Sequence, residues 1–139
     1  MAQQPLRRGR HSVSRLVVHL VFVIKYRRSV LTGEHLSRME AVCLGVAEKM
    51  GFQLLEFNGE ADHVHLLVEY PPAVSVSVLV NALKGVSSRM LRKEFPLRPH
   101  GEHLWSPSYF ASSAGGASIE TLKKYIAEQD RPEGHSCPP

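Results

Sequence analysis

The hydrophobic patterns of this chain predict an α+β fold whose elements follow the order β-α-β-β-α-β, with one further helix near the C-terminus. Three observations support this prediction. A β-branched apolar run comes first, two later segments have apolar residues at helical spacing, and a hairpin pattern lies between them. This order is the split βαβ arrangement of a ferredoxin-like domain, an antiparallel sheet with helices on one face. We expect the other face of the sheet to be available for chemistry or for nucleic acid.

The first strand, predicted over residues 16–24, is apolar at both of its alternating sets of positions. Such a strand is typical of the centre of a sheet that is covered on both faces. Because the two main helices cover one face, the C-terminal helix or a second subunit is expected to cover the other. A helix follows this strand, with Thr32 as its N-cap and Gly51 as its stop signal.

Turn signals and apolar spacing predict the remaining elements in the same way. Proline in the last strand indicates an edge strand or a bulge, because proline lacks the backbone N–H that a central strand needs. In chain order, these elements are a strand over residues 53–57, a turn at Asn58-Gly59, a strand over 63–70, a helix over 75–94, a strand over 104–111 interrupted by Pro107, and a helix over 118–129.

Composition predicts one compact domain. The 139 residues are 43% apolar and 22% charged, which suits a single core over residues 15–130, between a basic N-terminal tail (1–14) and a C-terminal tail (131–139). Cys43 and Cys137 imply no disulfide framework, and the longest apolar run is too short to span a bilayer, so we expect a cytoplasmic protein. The 17 Lys and Arg residues exceed the 13 Asp and Glu residues, and the net charge of +4 favours a polyanionic partner.

Two histidines lie in the predicted strand over residues 63–70. Successive strand residues point to opposite faces, so His63 and His65 share one face while Val64 and Leu66 point into a core. Two neutral imidazoles side by side are a ready pair of ligands for a divalent cation. The alternative is a pair of hydrogen-bonded structural histidines, and this segment alone does not separate the two, because a metal needs further ligands.

The C-terminal helix supplies candidate partners for these histidines. In the predicted helix, Tyr125 and Gln129 stand at i and i+4 and therefore project together. Attack of a tyrosine hydroxyl on a phosphodiester leaves a covalent phosphotyrosine, and a divalent metal assists by polarising the phosphoryl oxygens. Gln129 can add a neutral oxygen ligand to the imidazole pair. A tyrosine on an amphipathic helix is more often part of the core or the surface, so only the combination indicates catalysis.

Several separated blocks of the sequence, taken together, resemble one known family. The likeness extends over roughly residues 19–129 and resides in blocks that follow one another in the order of that family. These blocks are residues 21–28, 62–68, 83–89, 104–110 and 124–129. They resemble the single-tyrosine HUH (His-hydrophobic-His) transposases, the TnpA-type enzymes of insertion sequences that move as single-stranded DNA.

The resemblance implies a role for each matching residue. His63 and His65 match the metal-binding histidines of the family, Tyr125 matches its nucleophile, and Gln129 matches the helix residue that completes the metal site. Such enzymes use Mg²⁺, with Mn²⁺ able to substitute. They cleave single-stranded DNA near subterminal hairpins, become joined to the 5′ phosphate and release a 3′ hydroxyl. They work as homodimers in which the tyrosine helix of one subunit can complete the site of the other.

Basic residues gather in three clusters, and arginines from two of them are candidates for binding the DNA backbone. Lys84, Ser88 and Arg92 also recur at i, i+4 and i+8 on the second predicted helix and so form a polar stripe that suits phosphates. The alternative for any one of them is a solvated surface. The candidate DNA-binding residues are Arg27, Arg28, Lys84, Ser88, Arg89 and Arg92.

Two further residues, His19 and Asp62, are weaker candidates for metal ligands. We expect His19, in the first strand, to be a structural residue or a partner of a ligand rather than a ligand. Asp62 points to the opposite face in a regular strand, although local irregularity can bring its carboxylate to the metal. Two alternative functions remain: a domesticated HUH endonuclease or nickase acting on repetitive hairpins, and a non-catalytic ferredoxin-like module that binds single-stranded nucleic acid.

Overall fold

A computed structural model describes residues 7–8, 13–97 and 103–132 of the chain. The elements are the strands β1 (Arg7–Arg8), β2 (Val13–Ser14) and β3 (Leu16–Val23), the helix α1 (Gly33–Met50), the strands β4 (Gln53–Glu60) and β5 (His63–Tyr70), the helix α2 (Val76–Glu94), the strand β6 (Phe110–Ala114) and the helix α3 (Ala117–Ala127). The predicted tails lie largely outside the described residues, as does Cys137, while β1 and β2 pair with each other.

The four long strands form one antiparallel sheet in the order β4-β5-β3-β6. This order, with α1 and α2 packed together against one face, confirms the predicted ferredoxin-like α+β fold. The main core lies between that face and the two helices, where Leu20 and Leu66 of the sheet meet Leu36 of α1 and Leu83 of α2, all fully buried. None of the described helices is long and apolar enough to cross a membrane.

The helix α3 covers part of the opposite face. Its Ile119 and Ile126 pack against Val17 of β3 and Leu67 of β5 in a second, smaller apolar cluster. The prediction that something besides the two main helices covers the first strand is therefore correct, and within one subunit α3 is the element that does so.

The ends of α1 follow from the local rules used to predict them. The Thr32 side chain accepts a hydrogen bond from the His35 backbone N–H, and the His35 side chain accepts one from the Thr32 backbone N–H. This reciprocal arrangement is a capping box with histidine in the third position. Gly51 ends the helix in the left-handed conformation, with φ of 80°, as glycine readily does.

The predicted turn at Asn58-Gly59 is wrong, because β4 continues to Glu60 and the turn is formed by Ala61 and Asp62. The glycine serves close packing instead. A Cβ at Gly59 would lie 2.5 Å from the His63 carbonyl oxygen, so a larger residue would displace the neighbouring strand.

The last strand and the last helix also differ from their predicted bounds. The strand begins at Phe110 rather than at residue 104, and Trp105 instead forms an isolated bridge with Ile24. The helix ends at Ala127, so Gln129 lies in the turn that follows.

Candidate active site

The two histidines of the His-x-His segment lie on the face of the sheet that α3 partly covers. His63 and His65 are on β5, and their rings are 5.0 Å apart between centroids. Val64 and Leu66 point into the main core, as the alternation predicts. Within the described residues, no group of three or more His, Cys, Asp or Glu side chains is arranged to hold a metal ion. A metal at this site would therefore need neutral oxygen ligands or water in addition to the two imidazoles.

His63 is oriented by the carboxylate of the preceding residue. The Nδ1 atom of His63 lies 2.7 Å from Oδ1 of Asp62, and the other carboxylate oxygen lies 3.6 Å from Nε of Arg27. The hydrogen bond with His63 lowers the pKa of the Asp62 carboxyl, and the charge of Arg27 lowers it further, so this carboxyl is ionised at neutral pH. Asp62 thus holds Nδ1 and leaves Nε2 of His63 as the nitrogen that can bind a cation, an arrangement common around metal-bound histidines.

His65 is held by a third histidine. Nδ1 of His65 lies 3.0 Å from Nε2 of His19, and both rings are buried. Burial, with a smaller contribution from the neighbouring His63 and His19, lowers the pKa of His65 to about 4, so the ring is neutral at pH 7. When Nδ1 of His65 donates a hydrogen bond to Nε2 of His19, the Nε2 atom of His65 carries the lone pair that a cation needs. His19 is therefore a buried residue hydrogen-bonded to His65, in keeping with the expectation of a structural or partner residue.

Tyr125 stands beside this histidine pair in the same subunit. Its ring meets the ring of His65 edge to face, with 5.5 Å between the centroids. The apolar stripe of α3 explains this position, because Ile126 and Ile119 face the sheet and leave Tyr125 at the margin of the buried contact. With 51% of its surface exposed, the tyrosine is accessible to a large substrate.

Gln129 is not on the helix that carries Tyr125. Because α3 ends at Ala127, the predicted i, i+4 relation between Tyr125 and Gln129 within one helix is wrong. The Gln129 side-chain amide instead donates a hydrogen bond of 3.4 Å to the Tyr125 carbonyl oxygen. The half-buried residue stays next to the tyrosine, and its amide oxygen is a possible neutral ligand.

Sequence reasoning missed Asn58, which is the residue that fastens the end of α3 to the sheet. Asn58 is directly opposite His65 in the β4–β5 ladder and is 8% exposed. Its amide donates to the carbonyl oxygens of Ala127 and Gln129 at 3.2 and 3.3 Å. The missed signal is the length of β4: in a strand that continues through residue 58, Asn58 lies on the same face of the sheet as His65.

Three of the predicted DNA-binding residues line one groove. Lys84, Ser88 and Arg92 lie along one side of α2, at a groove of about 540 Å³ whose far wall includes Trp105 and Ser106. The Lys84 ammonium donates to the Ser106 carbonyl oxygen at 2.6 Å, and burial lowers the pKa of this lysine. Lys84 therefore fixes the segment before β6 as well as adding positive charge to the groove.

The other three predicted DNA-binding residues lie elsewhere. Arg27 and Arg28 are exposed at the end of β3, and Arg27 is paired with Asp62 beside the histidines. Arg89 lines a different groove, between α1 and α2, so the structure does not bring it to Lys84.

Three aromatic residues in and just before β6 differ in their exposure. Trp105 is 5% exposed and its indole N–H donates to the Ser87 hydroxyl at 3.0 Å, so it belongs to the core. Tyr109 is partly exposed near Lys84. Phe110 is more exposed still and stands edge-on to His19, which leaves an aromatic face beside the histidine cluster.

Comparison with known proteins gives consistent results. Residues 12–129 match a protein family described as IS200-like transposase. The chain is 32% identical over 127 residues to the ISDra2 transposase TnpA of Deinococcus radiodurans, a match that covers 89% of this chain and 91% of that protein. It is 33% identical over 118 residues to the transposase of insertion sequence IS200 from Salmonella typhimurium, covering 81% of this chain and 78% of that protein.

Solved structures share the fold. A crystal structure assigned to a transposase from Deinococcus radiodurans R1 matches with a TM-score of 0.74 and 32% identity, over 91% of this chain and 99% of that one. A REP-associated tyrosine transposase bound to a REP hairpin matches with a TM-score of 0.62 over 91% of this chain and 69% of that one. The second pair is 13% identical, so that likeness speaks for the fold alone.

Proposed function

The chain belongs to the family of IS200-like transposases, and from this premise we propose that it cleaves and rejoins single-stranded DNA with Tyr125 as its nucleophile. The observation that carries the proposal is the position of Tyr125, an accessible phenol 5.5 Å from a ring of the histidine pair. Transposases act on DNA, and the positive charge of the chain suits that partner.

The proposed reaction is a transfer of one phosphoryl group in two reversible steps. The Tyr125 oxygen attacks the phosphorus of the scissile phosphodiester, a bond forms between that oxygen and phosphorus, and the bond from phosphorus to the 3′ oxygen breaks. The phenol loses its proton and the departing 3′ oxygen gains one. A second 3′ hydroxyl then attacks the 5′-phosphotyrosine and releases the phenol, so no nucleotide cofactor is needed.

We propose that the site binds Mg²⁺, with Mn²⁺ as a substitute, through Nε2 of His63 and His65 and the amide oxygen of Gln129. The hydrogen bonds of both Nδ1 atoms fit this assignment, because they orient the rings and leave each Nε2 as the nitrogen available to a cation. When bound, the cation would polarise a phosphoryl oxygen and orient the scissile bond. Asp62 and His19 would then act as positioning residues, one for each imidazole.

A hairpin of single-stranded DNA is the proposed partner of the groove beside α2. The groove carries Lys84 and Arg92, whose positive charges suit phosphates. Loss of one phosphate contact should weaken binding at all sequences and reduce the slope of log affinity against log salt by about 1. We expect this result for Arg92→Gln and no change for Arg89→Gln, since Arg89 lines the other groove. Equal effects of the two substitutions would argue for a diffuse basic surface.

We further propose a homodimer in the cytoplasm. The strand β6 is at the edge of the sheet, and its residues 110–113 are exposed. An exposed edge with backbone groups available for pairing is a surface onto which a second copy can add a strand. Light scattering on the purified protein would give the mass of a dimer, and Ala111→Pro, which removes a backbone N–H in this strand, would shift it toward a monomer.

The decisive experiment detects the covalent intermediate. The protein is incubated with single-stranded oligonucleotides from the ends of its element and Mg²⁺, and a covalent protein–DNA adduct is sought on a denaturing gel. We expect an adduct that is absent from Tyr125→Phe and retained by the matched control Tyr70→Phe, whose tyrosine lies at the far end of β5. Undiminished DNA affinity without an adduct under any metal would instead indicate a binding module.

A further inference from the structure

The C-terminal end of α3 is tied to the sheet by a small group of buried polar contacts. Both N–H bonds of the Asn58 side-chain amide are used, one on the carbonyl oxygen of Ala127 and one on that of Gln129. The oxygen of the same side-chain amide, Oδ1, accepts a hydrogen bond of 2.8 Å from Nε of Arg131. One buried side chain therefore closes the end of the tyrosine helix and also receives the segment after it.

Arg131 extends this connection to the other layer of the fold. Besides its bond to Asn58, its guanidinium lies 3.3 Å from the hydroxyl oxygen of Ser37 and 3.6 Å from a carboxylate oxygen of Glu40. Both of those residues are on α1. The residues after α3 are thus held between the edge strand β4 and the first helix, and we name the pair Asn58 and Arg131 the clamp.

The apolar contact of α3 with the sheet is small. Of its 11 residues, Ile119 and Ile126 are buried, Leu122 packs against the same cluster from a partly buried position, and Gly116 at the N-cap offers no side chain for capping. Helices shorter than about 12–15 residues are marginal by themselves and take their stability from packing. A helix with so small an apolar contact depends strongly on the polar contacts at its end.

We propose that the clamp consists of positioning residues that hold Tyr125 at the histidine pair of its own subunit. Asn58 is suited to this because it is paired with His65 across the β4–β5 ladder. The same residue therefore fixes the distance from the strand that carries the imidazoles to the helix that carries the phenol. The inference rests on the proposed function, and it names residues that affect the reaction without touching the DNA or the metal.

The test compares Asn58→Asp with Arg131→Gln and a matched control. Asn58→Asp keeps the size of the side chain and the acceptor for Arg131 but removes both N–H donors. Arg131→Gln, at a partly exposed position, removes the outer half of the clamp without a change in the core. Arg38→Gln is the control, since Arg38 makes a comparable pair with Glu94 between α1 and α2, away from α3.

Amide hydrogen exchange, measured without DNA, reports how strongly the clamp stabilises α3. We expect the amides of α3 to exchange about tenfold faster or more in both clamp variants, with α2 unchanged, because each lost hydrogen bond favours local opening. Arg38→Gln should leave α3 at the wild-type rate. Unchanged protection of α3 in both clamp variants would overturn the inference. Should Asn58→Asp expose every element alike, the exchange of Arg131→Gln decides the question.

The single-turnover rate of adduct formation tests whether the clamp positions Tyr125. We expect this rate to fall roughly 10–100-fold in Asn58→Asp, as for a misplaced reacting group, while the affinity for the oligonucleotide stays within about twofold. A normal rate in a variant whose α3 exchanges fast would contradict the positioning role. If the wild-type protein forms no adduct at all, the proposed function fails, whereas the exchange experiment still tests the clamp.

Discussion

The two faces of the central sheet differ in composition: one is apolar, and the other carries the histidines of the candidate active site. The face toward α1 and α2 is apolar throughout its centre, with Leu20 and Leu66 fully buried in the main core. The face toward α3 carries His19, His63 and His65 among a few apolar residues. The strand β5 contributes to both faces through its simple alternation. In β5, neighbouring residues therefore serve different purposes: Leu66 stabilises the fold on one face, and His65 belongs to the candidate active site on the other.

The difference shows how polar groups are tolerated in a buried strand. His19 and His65, the buried histidines of the face toward α3, each use one ring nitrogen in a hydrogen bond. Leaving such a buried polar group unpaired would cost on the order of 1–3 kcal/mol. The partner of His65 is His19. The apolar face needs no such pairing and depends on close packing instead, so the two faces should respond differently to substitution.

The largest effect should come from His63→Ala. Removing this imidazole takes away one of the two proposed ligands, and we expect adduct formation with Mg²⁺ to become undetectable. The side chain is only half-buried, so the melting temperature should change little. DNA affinity, measured by fluorescence anisotropy, should be largely retained because the groove with Lys84 and Arg92 is intact. Parallel loss of affinity and cleavage would contradict the division between the two faces.

The opposite result is expected for Leu66→Ala, one residue beyond His65. Leu66 is fully buried, and truncating such a leucine costs roughly 2–5 kcal/mol in the free energy of unfolding. Urea denaturation measures this cost, and Leu44→Ala on the exposed side of α1 is a control expected to stay within about 0.5 kcal/mol. Below its melting temperature the Leu66→Ala protein should still form the adduct. A stable but inactive variant would mean that the core face also sets the chemistry.

Local patterns were sufficient to predict much of the fold. The bounds of β5 and the cap and stop of α1 follow from period, capping and glycine conformation, which are properties of neighbouring residues. The error at Asn58-Gly59 has a physical cause, since a turn signal is local while pairing with β5 extends β4 to Glu60. Tertiary pairing prevailed over the local preference.

The candidate site was predictable in part for the same reason. His63, His65 and Tyr125 were identified from spacing, chemistry and resemblance, and the structure brings His65 and Tyr125 together. The contacts of Asn58 were not predictable, because they join residues about 70 positions apart and depend on where α3 ends. No pattern in the residues around Asn58 specifies those partners.

The next largest effect should follow from Asp62→Asn. The substitution keeps the shape of the side chain but removes the charge that orients His63, and such changes typically cost 10–100-fold in metal affinity or activity. Mn²⁺ binding followed by electron paramagnetic resonance measures the affinity without DNA. Arg27→Gln is the comparison, because Arg27 contacts the same carboxylate from an exposed position and exposed pairs contribute little. An equal loss in both variants would assign the effect to the ion pair rather than to the hydrogen bond with His63.

The smallest effect is expected on the apolar side, at His35. Burial lowers the pKa of His35 below its usual 6.5, although Glu34 and the Val30 backbone oppose this shift. A histidine with a lowered pKa in the folded state binds fewer protons there than in the unfolded chain. Its contribution to stability is therefore complete above pH 6.5 and is lost as the pH falls through the lowered pKa.

Protonation would also remove the acceptor that His35 offers to the Thr32 backbone N–H. We expect thermal unfolding to show stability declining below pH 6.5, and a smaller decline in His35→Gln, which can keep an acceptor without titrating. His65 also has a lowered pKa and adds to the decline in both proteins, so the difference between the two curves isolates His35. Parallel curves would place the acid sensitivity on the histidine face alone and make the contrast between the faces sharper.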